Sequence, residues 1–143
     1  MTINLTEIGW IDENGILLGT WTNQSNVVSD DTAINVAQDL TVNTLNGNDV
    51  INGDVNDDSD NQSEGIRIDN YSQLNTNNGN DTITGSGFAV GINSRGTINT
   101  GAGNDTITGS AEGPPDDLFG STGISNSSGT INTGAGNDII LAS

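Results

Sequence analysis

Aliphatic residues recur along this chain in a fixed relation to four Gly-Asn-Asp triplets. The triplets are Gly47-Asn48-Asp49, Gly79-Asn80-Asp81, Gly103-Asn104-Asp105 and Gly136-Asn137-Asp138, with the aspartates 32, 24 and 33 residues apart. Seven residues before each aspartate stands Val42, Leu74, Ile98 or Ile131, and two residues after it Ile51, Ile83, Ile107 or Ile140. Six residues before the first of these come Val36, Ile68 and Ile92, with Ile124 one residue further off. Thr97-Ile98-Asn99-Thr100 and Thr82-Ile83-Thr84 alternate polar and apolar positions, the mark of a half-buried strand. A unit of three short strands repeats, and such units bury their apolar faces only by stacking. The pattern predicts an all-β protein, a parallel β-helix or β-solenoid of about four three-stranded coils. The aliphatics would form three inward columns, while Thr and Asn face water.

The shortest coil has 24 residues, and the extra length of the longer ones falls after the third strand. Both inserts are acidic: Asp54-Val55-Asn56-Asp57-Asp58-Ser59-Asp60 and Glu112-Gly113-Pro114-Pro115-Asp116-Asp117. Residues 1–31 match the register poorly and contain both tryptophans, Trp10 and Trp21. A solenoid needs its end covered, so the expected division is an N-terminal capping segment, 1–31, followed by repeats over 32–143. The tryptophans would form the core of that cap or, alternatively, a platform for stacking carbohydrate.

Composition narrows the chemistry. Only 31% of residues are hydrophobic and 3% aromatic, and the net charge is −17, with Arg67 and Arg95 the only cations. Nothing here could neutralise phosphates, which argues against nucleic acid as a partner. No segment approaches the roughly 20 apolar residues of a membrane span, so membrane insertion is not expected. Cysteine and histidine are both absent, which removes the usual zinc and copper ligands and every His-based triad. Hard oxygen ligands remain, and these suit calcium or magnesium.

Stacked strands lie about 4.8 Å apart, so the four turn aspartates would sit in one column and repel each other. A cation between successive turns would offset that repulsion. Calcium accepts six to eight oxygens, backbone carbonyls included. Glycine, and next best asparagine, allow the positive-φ turns that aim carbonyls at an ion. At these residues the chain resembles the RTX (repeats-in-toxin) calcium-binding family: Thr100-Gly101-Ala102-Gly103-Asn104-Asp105-Thr106-Ile107-Thr108 follows the nonapeptide G-G-x-G-x-D-x-U-x except at its first position, as does Thr133 to Leu141. The resemblance implies ions held between successive turns by aspartate carboxylates and turn carbonyls. Asp105 and Asp138 would then be side-chain ligands, and Gly101, Gly103, Gly134 and Gly136 carbonyl donors. In register with them, Asp49, Asp81, Gly79 and Asn77 extend the candidate metal set. The departures are Thr for the first Gly in all four turns, and Asn77 and Leu45 for the second Gly in the earlier two. The turn at Asp49 is therefore expected to bind weakly or not at all. Coils of 24 to 33 residues also exceed the family's usual 18.

The resemblance further implies an extracellular, secreted module whose folding is coupled to calcium, with a structural or surface-adhesive role. Met1 to Glu7 has no basic region and no long apolar run, so no cleaved signal peptide is expected. Other readings stand beside these. The Asn-Asp pairs would also serve as plain turn caps. Asp54, Asn56, Asp58 and Asp60 alternate like the start of an EF-hand loop but lack its central Gly and final Glu, so a solvated acidic loop is the competing account. Thr41/Asn43, Gln73/Asn75, Thr97/Asn99 and Thr130/Asn132 would form outward ranks like those of an ice-binding solenoid, or simply suit exposed strands. The module would alternatively accompany a secreted enzyme. No nucleophile or base is indicated, and catalysis within the chain is not expected. Ile139-Ile140-Leu141 makes the C-terminal end apolar, which predicts self-association there or a continuation of the repeat in a longer parent, with a type I secretion signal as the competing account.

Overall fold

The computed structural model describes residues 2–30, 33–55, 63–113 and 120–143. Among them are sixteen strands: β1 (Thr2–Leu5), β2 (Gly9–Ile11), β3 (Leu17–Thr20), β4 (Val27–Asp30), β5 (Ala33–Val36), β6 (Thr41–Asn43), β7 (Val50–Val55), β8 (Glu64–Ile68), β9 (Gln73–Asn75), β10 (Thr82–Gly87), β11 (Val90–Ser94), β12 (Thr97–Asn99), β13 (Thr106–Ala111), β14 (Thr122–Asn126), β15 (Thr130–Asn132) and β16 (Ile139–Ala142). They form three sheets, ordered β14-β11-β8-β5-β1-β2-β3, β15-β12-β9-β6 and β16-β13-β10-β7-β4. Pairing is parallel between coils, as the β-solenoid reading requires. Only β2 departs, pairing antiparallel with β1 and β3.

Each coil runs through the seven-stranded sheet, turns a corner into the four-stranded one, passes the Gly-Asn-Asp turn and enters the five-stranded one. Alternation fixes what is buried, because a strand's side chains point to opposite faces. Val42, Leu74 and Ile98 are fully buried, as are Ile51, Ile83 and Ile107. Both columns match the sequence register.

The column of the first strand is corrected. Ile34, Ile66, Ile92 and Ile124 are the residues in line. Val36 and Ile68 form a separate line that continues into Ser94 and Asn126. The cause is the corner that follows. It holds residues 37–40 and 69–72 in the first two coils but only 95–96 in the third and 127–129 in the fourth. Counting back from the second strand therefore reached the wrong aliphatic in the two longer corners. Length varies at this corner as well as after the third strand. Of the two acidic inserts, residues 56–60 and 114–117 lie outside the described residues, and with them most of the EF-hand-like alternation.

Within residues 1–31, β1 and β4 extend two of the sheets by one strand each. The β2–β3 hairpin takes the place of a second strand. Trp21 is buried, its Nε1 donating to the Thr6 carbonyl at 2.8 Å, and Trp10 packs against it with ring centroids 5.0 Å apart at 48°. Trp21 belongs to the core, which takes its ring out of reach of a carbohydrate, and the partly buried Trp10 packs against that core. At the opposite end Ile139, Ile140 and Leu141 are each about half exposed.

Candidate functional site

The four triplets bring their aspartates into one column inside the turns. Asp49, Asp81 and Asp105 are 1%, 1% and 0% exposed. Each is tied to its neighbour in the same way. The backbone N–H of Asp49 donates to Oδ1 of Asp81 at 2.8 Å, that of Asp81 to Oδ1 of Asp105 at 2.9 Å, and that of Asp105 to Oδ1 of Asp138 at 3.0 Å. At the top the column starts on Asn26, whose backbone N–H and Nδ2 both donate to Oδ1 of Asp49, at 2.8 and 2.9 Å. Hydrogen bonds to a charged partner are the strong ones, and here they link successive coils.

The second carboxylate oxygen divides the turns into two kinds. Thr44 Oγ1 donates to Oδ2 of Asp49, and Thr76 Oγ1 to Oδ2 of Asp81 at 2.6 Å. Both oxygens of these two aspartates are therefore satisfied within the protein. Thr44 and Thr76 Oγ1 also reach the carbonyls of Thr76 and Thr100, both at 3.3 Å, whereas in the next turn Thr100 Oγ1 has only the equivalent contact, to the Thr133 carbonyl at 3.2 Å. That leaves Oδ2 of Asp105 buried with no hydrogen-bond partner among the described residues. A buried carboxylate oxygen without a donor is costly.

Two glycine positions shape the turn. Four residues before the aspartate, Gly101 and Gly134 have φ of 90° and 77°, and Leu45 and Asn77 adopt 72° and 71°. The backbone conformation is thus kept where the sequence departs from glycine, at a steric cost. Two residues before the aspartate, Gly47, Gly79, Gly103 and Gly136 stack so tightly that a Cβ on any of the last three would collide with the preceding glycine's carbonyl oxygen. The carbonyls of Asn77 and Gly101 accept the N–H of Ala102 and Ala135, both at 2.9 Å. Each keeps a second lone pair.

Of the candidate metal residues, Asp49, Asp81, Asp105 and Asp138 form one line, Gly79, Gly103 and Gly136 a second, and Asn77, Gly101 and Gly134 a third. The carboxylates are strung out rather than clustered, and no group of three acidic side chains converges among the described residues. An ion here would have to draw on carbonyls as well. Sequence reading passed over Thr44, Thr76 and Thr100, seen only as replacements for glycine, and Asn26, whose signal is its place two residues before Val28. Outside the turn Asn48, Asn80, Asn104 and Asn137 make a second ladder, each Oδ1 accepting the next asparagine's N–H at 2.8–2.9 Å. The outward ranks are partly tied up too: Asn75 Nδ2 donates to Asn43 and Asn132 Nδ2 to Asn99.

Compared with protein-family models, with curated proteins and with solved structures, the chain matches none.

Burial pushes the Asp81 carboxyl above the usual carboxylate range, and the neighbouring charges of Asp49 and Asp105 add to this. The Thr76 hydroxyl and the Asp49 N–H pull the other way. A carboxyl raised in the folded state favours folding at low pH, and that contribution fades as pH rises from about 3.9, the ordinary aspartate value, through the folded one. In chelator, the thermal midpoint should fall between pH 4 and pH 7, and Asp81→Asn should flatten the fall. An unchanged slope in that variant would assign the effect elsewhere. Thr76→Val strands a buried carboxylate oxygen and should cost about 1–3 kcal/mol in denaturant unfolding, whereas Thr100→Val should cost less. Equal costs would contradict the division of the turns.

Proposed function

We propose that this chain is a calcium-stabilised β-solenoid module of a secreted protein, serving a structural or surface-adhesive role. The observation that carries the reading is Oδ2 of Asp105, a fully buried anionic oxygen with no donor among the described residues. It lies where the sequence follows the RTX nonapeptide best. The donor set fits calcium, which takes hard oxygens from carboxylates and carbonyls together. Asp105 and Asp138 would hold the ion, with the carbonyls of Gly101, Gly103, Gly134 and Gly136. Calcium would supply the positive charge that this end of the column lacks. Asp49 and Asp81 meet their needs through threonine hydroxyls and backbone N–H groups, so their turns depend less on metal. Asp49, Asp81 and Asp105 are sealed from solvent, which argues against a role for them in catalysis.

Calcium should raise the thermal midpoint, because a ligand bound only by the folded state stabilises by about 2.7 kcal/mol at a hundredfold excess over Kd. Asp105→Asn should lower the bound calcium measured by calorimetry, and Asp49→Asn should leave it unchanged. A midpoint indifferent to calcium, or equal losses in the two variants, would overturn the assignment. Magnesium should substitute poorly, since it demands strict octahedral geometry.

The exposed apolar strand β16, at the edge of its sheet, is proposed as a contact for a second copy, since open edges template pairing. Sedimentation of the calcium-loaded protein should show concentration-dependent dimers that Ile139→Lys removes. A monomer at every concentration would refute it.

A further inference from the structure

The short corner of the third coil leaves a notch on the solenoid's surface. Four residues, 69–72, turn the corner above it and three, 127–129, the corner below, whereas Arg95 and Gly96 alone make the turn between them. Gly96 forms the floor: a Cβ there would collide with the carbonyls of Asp69 and Ser72. The resulting groove, of about 460 Å³, is lined by Tyr71, Arg95, Gln73, Thr97, Ser128 and Thr130 among others. That volume falls within the roughly 300–1,000 Å³ of small-molecule sites.

Two of these residues are unusual for this chain. Tyr71, the only tyrosine, is 81% exposed and stands at φ 60°. A bulky residue gains nothing from the left-handed region, and no burial of the ring repays it. Asp39 has the same conformation one coil above, φ 61°, but aspartate tolerates it better. Arg95 is one of two cations in a chain of net charge −17. The other, Arg67, is bonded to Asp69 at 2.7 Å, whereas Arg95 has no acidic partner within ion-pair distance among the described residues. An exposed aromatic face, a fork of N–H donors and a rim of hydroxyls and two amides, Asn70 and Gln73, therefore share one groove.

We propose that this notch is a binding site for a neutral saccharide unit. Its apolar face would lie on the Tyr71 ring, and adjacent ring hydroxyls would accept from the Arg95 guanidinium and bond to Gln73, Thr97, Ser128 and Thr130. An aromatic ring offers a large contact face at low entropy cost, and arginine's planar fork suits paired oxygen acceptors. The chain's overall negative field opposes an acidic polysaccharide, which is why the unit is assigned as neutral. With one ring and one open side, the expected Kd is on the order of 1 mM.

The single tyrosine makes the test direct. The protein is labelled with 3-fluorotyrosine and its one fluorine resonance followed in calcium, with cellohexaose, maltohexaose and mannohexaose as neutral probes and oligogalacturonate as the acidic one. At least one neutral probe should shift the resonance saturably at millimolar concentration. Saturation transfer to that sugar should vanish in Tyr71→Gly and weaken about tenfold in Arg95→Gln. Tyr71→Gly should melt no lower than the parent, because glycine relieves the left-handed conformation. Three results would each overturn the proposal: no shift with any neutral probe, transfer retained in Tyr71→Gly, or tighter binding of oligogalacturonate. A markedly lower melting point for Tyr71→Gly would make the residue structural and overturn it equally.

Discussion

Everything in this solenoid hangs on one hydrogen bond repeated from coil to coil, the backbone N–H of one turn aspartate donating to the carboxylate of the next. It solves two problems together. A tight turn exposes N–H groups that no strand partner can reach, and four acidic side chains in a stack need donors. Pointing each carboxylate at the N–H of the coil above satisfies both, and it fixes the axial spacing of the turns. The glycine carbonyls can then approach the next coil's α-carbon, and the three aliphatic columns fall into register on either side. Were the aspartates turned outward, the turn N–H groups would lose their acceptors and the core would lose its alignment.

The column also explains how so acidic a chain folds around so little apolar material. Its core is a set of single-file columns, with no second layer behind them. Side-chain ladders, of aspartate inside the turn and of asparagine outside it, supply directional bonds where hydrophobic area is scarce. Threonine completes the set by giving a hydroxyl to the carboxylate in two turns, and in the third, where that bond is not made, an anionic oxygen is left bare among the described residues.

Much of this was legible in the sequence, because a repeat reports its own register. Val42, Leu74 and Ile98 and the isoleucines after each aspartate were placed correctly, since the turn between them has constant length. The first-strand column was misread at Val36 and Ile68, because the corner before Thr41 and Gln73 is two residues longer than the one before Thr97. Sequence spacing cannot tell which side of a gap has changed length. The aspartates were legible as a column, but the hydroxyls of Thr44 and Thr76 were not. A threonine in a glycine position looks like a loss, because spacing alone does not say what its hydroxyl touches. Asn26 was invisible for a related reason: it stands where an aspartate would, in a half-coil with no Gly-Asn before it.

The aspartate chain has a direction. Every coil presents an N–H downward and a carboxylate upward, and Asn26 closes the upper end with a neutral amide. Because the lower face of each coil complements the upper face of any other, a whole turn of the solenoid can be excised or copied and the aspartate bond re-formed across the join. Such a chain changes length in units of one coil. Over generations its reach along the axis is therefore a quantity that recombination can adjust stepwise, while the chemistry of each step stays the same.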